Sequence, residues 1–572
     1  MKYTGVPVSQ GVAIGQVFIY EPTIPEVSEN FISPADIDTA IAQYHELLNK
    51  ARAELVDIQL YLKEKDPDKA MIFEAHVEML LDTVMIEEII DSIKSEYFSP
   101  EWAIQIVYDK YINMFSETGD ELIMERVADM HDLRIRKHRI WFGVSTQNLS
   151  ALSKPVVIVA HDLLPSDTAT LDRKNVLGIV TEIGGSTSHT AIIARGYGIP
   201  AVLGIPNILE FLKNDETVIV DALEGTLITQ PCTEQLELYA QMREKFFMHK
   251  KELMKFIDVK PVTPDGIYID VHLNIASAES DELSDSKFTD GVGLFRTEFL
   301  YMTGTTLPTE EEQYTQYKKV AEEFGDRPVI LRTLDIGGDK QVDTLNLPKE
   351  DNPFLGLRAL RLCLENTSLF KTQLRAAFRA GLHGNIWIML PMVGSLDDVR
   401  AAKAIINDVK ESLTNENISF EPTLKIGIMI EIPSIALISD LVVKEVDFAS
   451  IGTNDLCQYL TAVDRLNPAV SDYYQSYHPA MFRVIQQVIE AFNCAGKPIS
   501  ICGEMGGDPL AAAVLIGLGI RKLSMNSSCI PGIKKLITEL SIEKAQDIAK
   551  KALTCATANE LEGFLEGMNI SP

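Results

Sequence analysis

Basic residues are scarce in this chain, and their scarcity excludes one class of partner. Its 572 residues include 52 lysines and arginines against 82 aspartates and glutamates, so the formal net charge is -30. Proteins that bind nucleic acids need clustered lysine and arginine to neutralise backbone phosphates, so we predict no nucleic-acid partner. The same charge disfavours an anionic membrane surface. It is compatible with a basic protein partner, but equally with an enzyme whose acidity serves solubility alone.

Paired cysteines and long apolar runs are also missing from the sequence. The seven cysteines include no CxxC pair, which disfavours a zinc ribbon or a redox motif, and their odd number fits a reducing cytoplasm. The first residues show no basic stretch followed by an apolar core, so no signal peptide is expected. No apolar run is long enough to cross a bilayer. We therefore predict a cytoplasmic protein without membrane insertion.

The first part of the sequence is predicted to be an α/β domain interrupted by a helical bundle. After an opening strand-like stretch, Ser33 and Pro34 mark a helix start, with serine as the cap and proline at the first helical position. Four amphipathic helical runs follow, the second of them continuous over about 68–96, before strand-like sequence resumes. The predicted bounds are 1–22 and 145–230 for the α/β domain and 23–144 for the bundle.

The remaining sequence repeats one pattern, in which a short apolar strand ends in polar or charged residues and a helix follows. This pattern predicts a (β/α)₈ barrel at 261–572, joined to the first part by a linker helix within 231–260. The fold class is therefore multidomain α/β. Because the chemistry of such barrels is located at the carboxyl ends of the strands, polar residues there are candidate site residues. The predicted strands are Tyr268–Leu273, Gly291–Phe295, Val329–Arg332, Ile386–Leu390, Ile426–Ile430, Phe448–Ile451, Ile499–Ile501 and Lys522–Met525.

A glycine pair and small hydroxyl residues lead into a predicted helix that has a histidine in its first turn. Residues 184–195 read GGSTSHTAIIAR, and the histidine is His189. A helix N-terminus offers free N–H groups and the positive end of the dipole, which would stabilise a phosphate on His189. Neutral imidazole is also a competent nucleophile near pH 7. For the isolated motif, the commoner alternative is a histidine that caps the helix or packs there.

Arginine ends two successive predicted barrel strands. Arg296 follows GVGLF, and Arg332 precedes TLDIGGDK. Guanidinium groups make forked, permanently charged contacts with phosphate and carboxylate groups. Either arginine alone would more often form a surface ion pair. Two of them at neighbouring strand ends favour a phosphate clamp.

Acidic and thiol groups follow three further strands. Glu431 and Asp455 come after separate strands and can share one hard cation, since Mg²⁺ favours one or two carboxylates plus substrate oxygens. The alternative for Asp455 is a helix cap. Cys502 follows the seventh predicted strand. A lone cysteine usually serves packing, but this position allows an exposed and reactive thiol.

These motifs resemble those of a family of enzymes that use phosphoenolpyruvate. Residues 184–202 are similar to the phosphohistidine signature shared by Enzyme I of the bacterial phosphotransferase system, pyruvate phosphate dikinase and phosphoenolpyruvate synthase. The resemblance covers nearly the whole chain. A helical insertion splits the histidine domain, and there are too few residues for a nucleotide-binding domain, which is the arrangement of Enzyme I.

The resemblance implies a reaction and a role for each matching residue. The phosphoryl group of phosphoenolpyruvate would pass to His189 and then to a histidine of the carrier HPr, docked on the helical bundle, with release of pyruvate. This is the first step of the sugar phosphotransferase system. Thr168 would support His189, Mg²⁺ would bind at Glu431 and Asp455, and Cys502 would exchange a proton with C3 of enolpyruvate. The residues implied to bind the substrate are Arg296, Arg332, Arg358, Asn454 and Arg465.

The resemblance also implies a homodimer through the barrel, and a histidine domain that swings between the barrel and the carrier about the linker helix. Ser186 departs from the pattern, because Enzyme I usually has arginine there, and the change would weaken contacts to the phosphate or shift the carrier preference. Two alternatives stay open. One is a paralogous phosphotransferase that serves a different carrier in regulation. The other is a catalytically silent scaffold, which the complete set of matching site residues disfavours.

Overall fold

Strands from both sides of a long helical segment pair in one eight-stranded sheet in the computed structural model. The strands are β1 (Lys2–Thr4), β2 (Val6–Ser9), β3 (Val12–Tyr20), β4 (Val156–Ala160), β5 (Val176–Thr181), β6 (Ala201–Leu203), β7 (Thr217–Asp221) and β8 (Thr226–Thr229). Their order is β1-β8-β7-β3-β4-β5-β6-β2, and β3 to β6 run parallel. Because β3 pairs with β4, the chain leaves and re-enters the sheet at adjacent positions, as expected for an inserted segment.

Short gaps interrupt the part of the chain that the structure describes. The described residues are 1–20, 27–63, 67–117, 121–144, 149, 152, 154–164, 167–168, 171, 174–185, 188–302, 306–338, 345, 350–465 and 467–568. They fall into two compact units, Met1–His249 and Lys250–Pro572. The predicted domain boundaries at residues 22 and 145 lie outside the described residues, and the full set of boundaries stays a prediction.

The inserted segment is helical, but its described residues contain one helix more than the sequence predicted. Its helices are α1 (Ile37–Lys63), α2 (Pro67–Leu80), α3 (Thr83–Ser95), α4 (Pro100–Glu117) and α5 (Glu121–Phe142). The helix start at Ser33 is confirmed, since its hydroxyl accepts from the N–H of Ala35 at 3.3 Å ahead of a short 3₁₀ turn. The continuous helix predicted over 68–96 was wrong. Asp82 interrupts it, because its carboxylate accepts from the N–H of Met85 at 2.9 Å and starts a new helix.

Two further helices within the described residues accompany the sheet of the first unit, and a long helix follows it. These are α6 (His189–Tyr197), α7 (Ile208–Phe211) and α8 (Thr233–Leu253). The last of them falls within the predicted linker, and a 3₁₀ turn at Met254–Phe256 extends it. No helix within the described residues is both long and apolar enough to span a bilayer.

The second unit contains a closed barrel of eight parallel strands, as predicted. The strands are β9 (Asp270–Ile275), β10 (Val292–Arg296), β11 (Val329–Arg332), β12 (Ile386–Leu390), β13 (Lys425–Ile430), β14 (Ala449–Ile451), β15 (Ile499–Ile501) and β16 (Lys522–Met525). The helices are α9 (Ser280–Leu283), α10 (Phe299–Met302), α11 (Glu310–Phe324), α12 (Leu360–Glu365), α13 (Thr367–Ala380), α14 (Leu396–Asn415), α15 (Pro433–Leu437), α16 (Ser439–Val442), α17 (Thr453–Thr461), α18 (Pro479–Cys494), α19 (Pro509–Leu518), α20 (Ile530–Glu539), α21 (Ile542–Ala552) and α22 (Ala558–Glu566).

Side chains along the barrel strands alternate between two layers. On β9, Val271, Leu273 and Ile275 belong to the large apolar core formed with the helices, whereas Asn274 lines a cavity of the barrel. A second apolar cluster consists of side chains from several strands, namely Leu294, Ile330, Trp387, Met389, Met429, Phe448 and Cys502. The barrel is thus filled by side chains, and the polar residues at the strand ends are left to line the cavity.

Candidate active site

A cavity of about 340 Å³ lies among the carboxyl ends of the barrel strands. Closure of the barrel brings these ends to one face, so residues far apart in sequence converge there. The predicted site residues that line the cavity are Arg296, Arg332, Glu431, Asn454, Asp455, Arg465 and Cys502. Other polar residues of the lining are Asn274, Asp335, Glu504, Asp508, Asn526 and Cys529.

Arg332, the last residue of β11, is held between two acidic side chains. Its Nη2 donates to Oε1 of Glu298, and its Nη1 lies 3.0 Å from Oδ2 of Asp335. Burial alone would lower the pKa of Arg332, but the charges of Glu298 and Asp335 raise it above its usual value. The guanidinium is therefore a permanent cation in a fixed position, although only 6% of the residue is exposed.

Arg296 ends the neighbouring strand β10 and is paired in register with Arg332. Its guanidinium lies 5.1 Å from the centre of the Phe299 ring. The Nε atoms of both arginines are buried and have no hydrogen-bond partner within the described residues. A buried donor without an acceptor is costly, so an anion in the cavity would satisfy groups that the protein leaves unsatisfied.

Glu431 follows β13 and is 1% exposed. Its Oε1 accepts a hydrogen bond of 2.6 Å from the backbone N–H of Met392, a residue in the left-handed region with φ of 55°. Burial, followed by the charges of Asp455 and Asp335, raises the pKa of Glu431 to about 8 against the opposing effect of nearby arginines. These carboxylates repel one another, which makes this position favourable for a bound cation.

Asn454 and Asp455 lie in the first turn of α17, shortly after β14. The side-chain oxygen of Asn454 accepts from the backbone N–H of Glu504 at 3.1 Å, which leaves its amide group free to donate. Oδ1 of Asp455 is buried without a hydrogen-bond partner in the described part of the chain and lies 3.7 Å from Nη1 of Arg465. This oxygen therefore caps no described backbone N–H and is available to a ligand.

Arg358 lies behind the cavity wall rather than in it. It is 1% exposed, and its Nη2 donates to both carboxylate oxygens of Asp335, at 2.9 and 3.2 Å. Its Nη1 donates to the hydroxyl of Tyr459 at 3.2 Å, and its Nη2 lies 3.7 Å from Oδ2 of Asp455. Asp335 thus separates Arg332 from Arg358. Direct binding of the substrate by Arg358 stays a prediction.

Cys502 follows β15 and lines the cavity, but it is 3% exposed, so the expected exposed thiol was wrong. The barrel interior covers it, because its side chain packs in the cluster that contains Met429 and Phe448. Burial raises the pKa of Cys502 to about 12, although a hydrogen bond with Ser450 opposes this shift. The thiol therefore holds its proton at neutral pH, which suits a proton donor.

His189, in the other unit, is the first residue of α6. The preceding Ser188 caps this helix, since its hydroxyl accepts from the N–H of Ala191 at 3.3 Å. Gly184 turns the chain towards the cap with φ of 106°, a conformation that favours glycine. The predicted position at a helix N-terminus is confirmed for the backbone. The side chain of His189 and the whole of Ser186 lie outside the described residues.

Thr168 is buried, and its hydroxyl donates to the carbonyl oxygen of Leu164 at 3.4 Å. The predicted support of His189 by Thr168 stays a prediction.

The cavity at the carboxyl ends of the barrel strands is called the barrel mouth below. Its donor set fits a cation that the substrate helps to bind. Within the described residues, no three or more histidine, cysteine, aspartate or glutamate side chains form a metal-binding group. The mouth instead offers the carboxylates of Glu431 and Asp455, one with a raised pKa and one with an unsatisfied oxygen. Mg²⁺ is typically held by one or two carboxylates together with water and substrate oxygens.

Glu298 was given no role by the sequence analysis, although together with Asp335, a residue expected near the end of β11, it holds Arg332 in place. Glu298 is 0% exposed and Asp335 is 1% exposed. Acidic residues are seldom fully buried unless they are paired. The signal that pointed to them is the acidic residue two or three positions after each strand-ending arginine, within otherwise buried sequence.

Three protein-family models match the chain. They describe the N-terminal domain of PEP-utilising enzymes at residues 4–126, the mobile domain of PEP-utilising enzymes at 152–225, and the PEP-binding domain of PEP-utilising enzymes at 250–542. The fold is therefore that of a PEP-utilising enzyme.

Curated relatives narrow this class. The phosphoenolpyruvate-protein phosphotransferase of Bacillus sp. (strain S) is 42% identical over 563 residues, which cover 98% of this chain and 97% of the relative. That of Priestia megaterium is 43% identical and covers 98% of each chain. An NMR solution structure of Enzyme I (nEIt) has 36% identity, covers 43% of this chain and 99% of that chain, and has a TM-score of 0.38. This chain belongs to the family of phosphoenolpyruvate-protein phosphotransferases.

Proposed function

We propose that this chain transfers the phosphoryl group of phosphoenolpyruvate to His189 and then to a histidine of the carrier HPr, with release of pyruvate. The reaction is the first step of the sugar phosphotransferase system. One observation carries the proposal: a single cavity combines three arginines with the carboxylates of Glu431 and Asp455 and with the Cys502 thiol, which burial keeps protonated. Family membership supports the same reaction.

The arginines of the cavity suit a substrate with both a phosphate and a carboxylate group. Arg296, Arg332 and Arg465 bind these groups, and the amide of Asn454 donates to the phosphate. The two arginines with unsatisfied buried Nε atoms provide donors in fixed directions, which is the geometry that forked recognition of phosphate requires. Arg358 acts from behind Asp335 and strengthens the positive field of the site.

Glu431 and Asp455 would hold Mg²⁺, which, when bound, neutralises charge on the phosphate and carboxylate oxygens. Without a cation, their carboxylates raise each other's free energy at this mouth, as the raised pKa of Glu431 indicates. The chain's own contribution is to fix both carboxylates, one on the N–H of Met392 and the other between two arginines.

His189 attacks phosphorus in line, and the enolate of pyruvate leaves. Phosphoryl transfer requires positioning and charge neutralisation, and the arginines supply both. Cys502 then gives its proton to C3 of the enolate, which yields pyruvate. A thiol whose pKa is raised to about 12 carries this proton at neutral pH.

The second half of the reaction involves the rest of the chain. The phosphorylated His189, supported by Thr168, passes its phosphoryl group to HPr docked on the helical bundle, and the enzyme acts in the cytoplasm as a homodimer through the barrel. The domain assignment belongs to this proposal: 1–22 and 145–230 for the phosphohistidine domain, 23–144 for the carrier-binding bundle, 231–260 for the linker and 261–572 for the barrel.

Incubation of the full chain with phosphoenolpyruvate and Mg²⁺ tests the proposal. Mass spectrometry is expected to find one acid-labile phosphoryl group on the peptide that contains His189, and none in His189→Ala. The matched control is His45→Ala, which removes an exposed histidine of α1 and is expected to leave phosphorylation unchanged. Phosphorylation that persists in His189→Ala would overturn the assignment. A panel of carriers then distinguishes HPr from a different acceptor.

A further inference from the structure

Two buried serines lie beside Cys502 in the barrel interior. Ser450 on β14 and Ser500 on β15 are paired in register and are 0% and 5% exposed. Side chains alternate along a strand, so the serines point away from the helix layer to which their neighbours belong. Those neighbours, all members of the large core formed with the helices, are Ala449, Ile451, Ile499 and Ile501.

The serine hydroxyls form a directional chain of hydrogen bonds that ends at the thiol. Ser500 donates to the hydroxyl oxygen of Ser450 at 2.9 Å. Against the rise that burial causes, a side-chain hydrogen bond with Ser450 lowers the pKa of the Cys502 thiol, and the thiol itself donates to the carbonyl oxygen of Ile451 at 3.6 Å. Because Ser450 accepts from Ser500, its own hydrogen is available for the sulfur. Cys502 comes two residues after Ser500, so both side chains point to the same side of the strand.

On the side away from the cavity, this chain borders apolar side chains. The cluster that contains Cys502 also contains Leu294, Met429 and Phe448. A thiolate in such surroundings is strongly disfavoured unless a hydrogen bond compensates the lost hydration. Once Cys502 has given up its proton, the hydroxyl of Ser450 is in place to supply that bond.

We propose that Ser450 and Ser500 are positioning residues that stabilise the thiolate formed on Cys502 when its proton moves to C3 of the enolate. The inference rests on the proposed function. In this step the S–H bond breaks, a C3–H bond forms with the electron pair of the enolate, the enolate oxygen becomes the ketone oxygen, and the negative charge moves to sulfur. Ser450 donates to the charged sulfur, and Ser500 strengthens that bond by polarising it. Water in the cavity then returns the proton to sulfur.

The reverse of this step provides the test. With pyruvate and Mg²⁺ in D₂O, those enzyme molecules whose Cys502 thiol has lost its proton remove a methyl proton of bound pyruvate. The resulting S–H group exchanges with D₂O, and the S–D group then returns deuterium to C3 of the enolate, which NMR detects. Ser450→Ala in the full chain is expected to slow this exchange about tenfold or more, as befits loss of a hydrogen bond to a charged group. Ser500→Ala, one bond further away, is expected to slow it about threefold. Phosphorylation of His189 by phosphoenolpyruvate, measured on the same preparations, is expected to stay within about twofold of wild type.

The matched control is Ser439→Ala. Ser439 is also a fully buried serine of the same unit, on α16, and its hydroxyl has no hydrogen-bond partner within the described residues. This variant is expected to keep the wild-type rates of deuterium exchange into pyruvate and of His189 phosphorylation. Cys502→Ala is expected to abolish exchange.

The outcomes separate the inference from the proposed function. If wild type phosphorylates His189 but Ser450→Ala exchanges deuterium as fast as wild type, the serine chain has no such role. If exchange and phosphorylation fall equally in Ser450→Ala, the serine is merely structural and the inference is overturned. If wild type never phosphorylates His189, the proposed function fails instead.

Discussion

Charges of opposite sign alternate through the wall of the barrel mouth. These charges form a series of ion pairs, here called the ladder, whose members in order are Glu298, Arg332, Asp335, Arg358 and Asp455. A buried charge is costly unless it is paired, and removal of one partner leaves another uncompensated. Each member of the ladder therefore holds its neighbours in place, and the lining arginines face the cavity in fixed positions before any substrate arrives.

Glu431 gives the site a pH dependence that can be measured without substrate. Burial and the charges of Asp455 and Asp335 raise its pKa to about 8 in the folded chain. The pKa of a glutamate in an unfolded chain is about 4.3. Between these values the folded protein binds more protons at Glu431, so stability falls as pH rises. We expect the melting temperature, measured without divalent cations, to fall from about pH 5 to about pH 8, and to fall less in Glu431→Gln.

The control for this prediction is Glu411→Gln, an exposed glutamate on α14. It is expected to keep the wild-type pH profile. Parallel profiles of wild type and Glu431→Gln would show that the pKa of Glu431 is not raised. Added Mg²⁺ is expected to flatten the wild-type decline, because a bound cation favours the ionised carboxylate.

The sequence predicted the individual residues at the strand ends better than their contacts. Arg296 and Arg332 were located because a charged residue closes a short apolar run. That Asp335 lies between Arg332 and Arg358 was not predictable, because the contact depends on loops that meet only when the barrel closes. The pairing of Ser450 with Ser500 depends likewise on the register of two strands far apart in sequence.

At the level of elements, the barrel strands were predicted almost residue by residue. The predicted bounds of β11, β12, β15 and β16 match the structure, because each is a short apolar run flanked by proline, glycine or charged residues. The first strand begins two residues later than predicted. Tyr268 instead pairs with Val262 in an isolated antiparallel bridge.

The break between α2 and α3 was missed because the apolar stripe of the helices continues across it, with no change in pattern to mark an end. Leu80 and Met85 are both buried, and periodicity alone gives no sign of an interruption between them. The signal lay in Asp82, whose carboxylate binds the N–H of Met85. Such capping competes with continuation of a helix but leaves the hydrophobic pattern intact.

Asp82→Ala tests this cap. Loss of an N-cap typically costs about 1 kcal/mol, so the amide of Met85 is expected to exchange its hydrogen about fivefold faster by NMR or mass spectrometry. Asp91→Ala, an exposed change on the same helix α3, is the control and is expected to leave that amide unchanged. Equal protection of Met85 in wild type and Asp82→Ala would show that the carboxylate does not start the helix.

At the level of the whole molecule, one histidine has to serve two partners. His189 cannot face phosphorus at the barrel mouth and a carrier at the same time, so the proposed reaction requires the two units to move relative to each other. We expect a cleavable reagent that cross-links the units to block transfer from phosphoenolpyruvate to the carrier. Cleavage of the cross-link is expected to restore transfer. Undiminished transfer in the cross-linked chain would contradict the movement.

Rapid-quench kinetics with phosphoenolpyruvate and Mg²⁺ test the central claim most directly. In a single turnover without carrier, the account predicts that phosphoryl-His189 and pyruvate appear at the same rate and in equal amounts, up to one phosphoryl group per active chain. Pyruvate released together with free phosphate, while His189 stays unmodified, would contradict it.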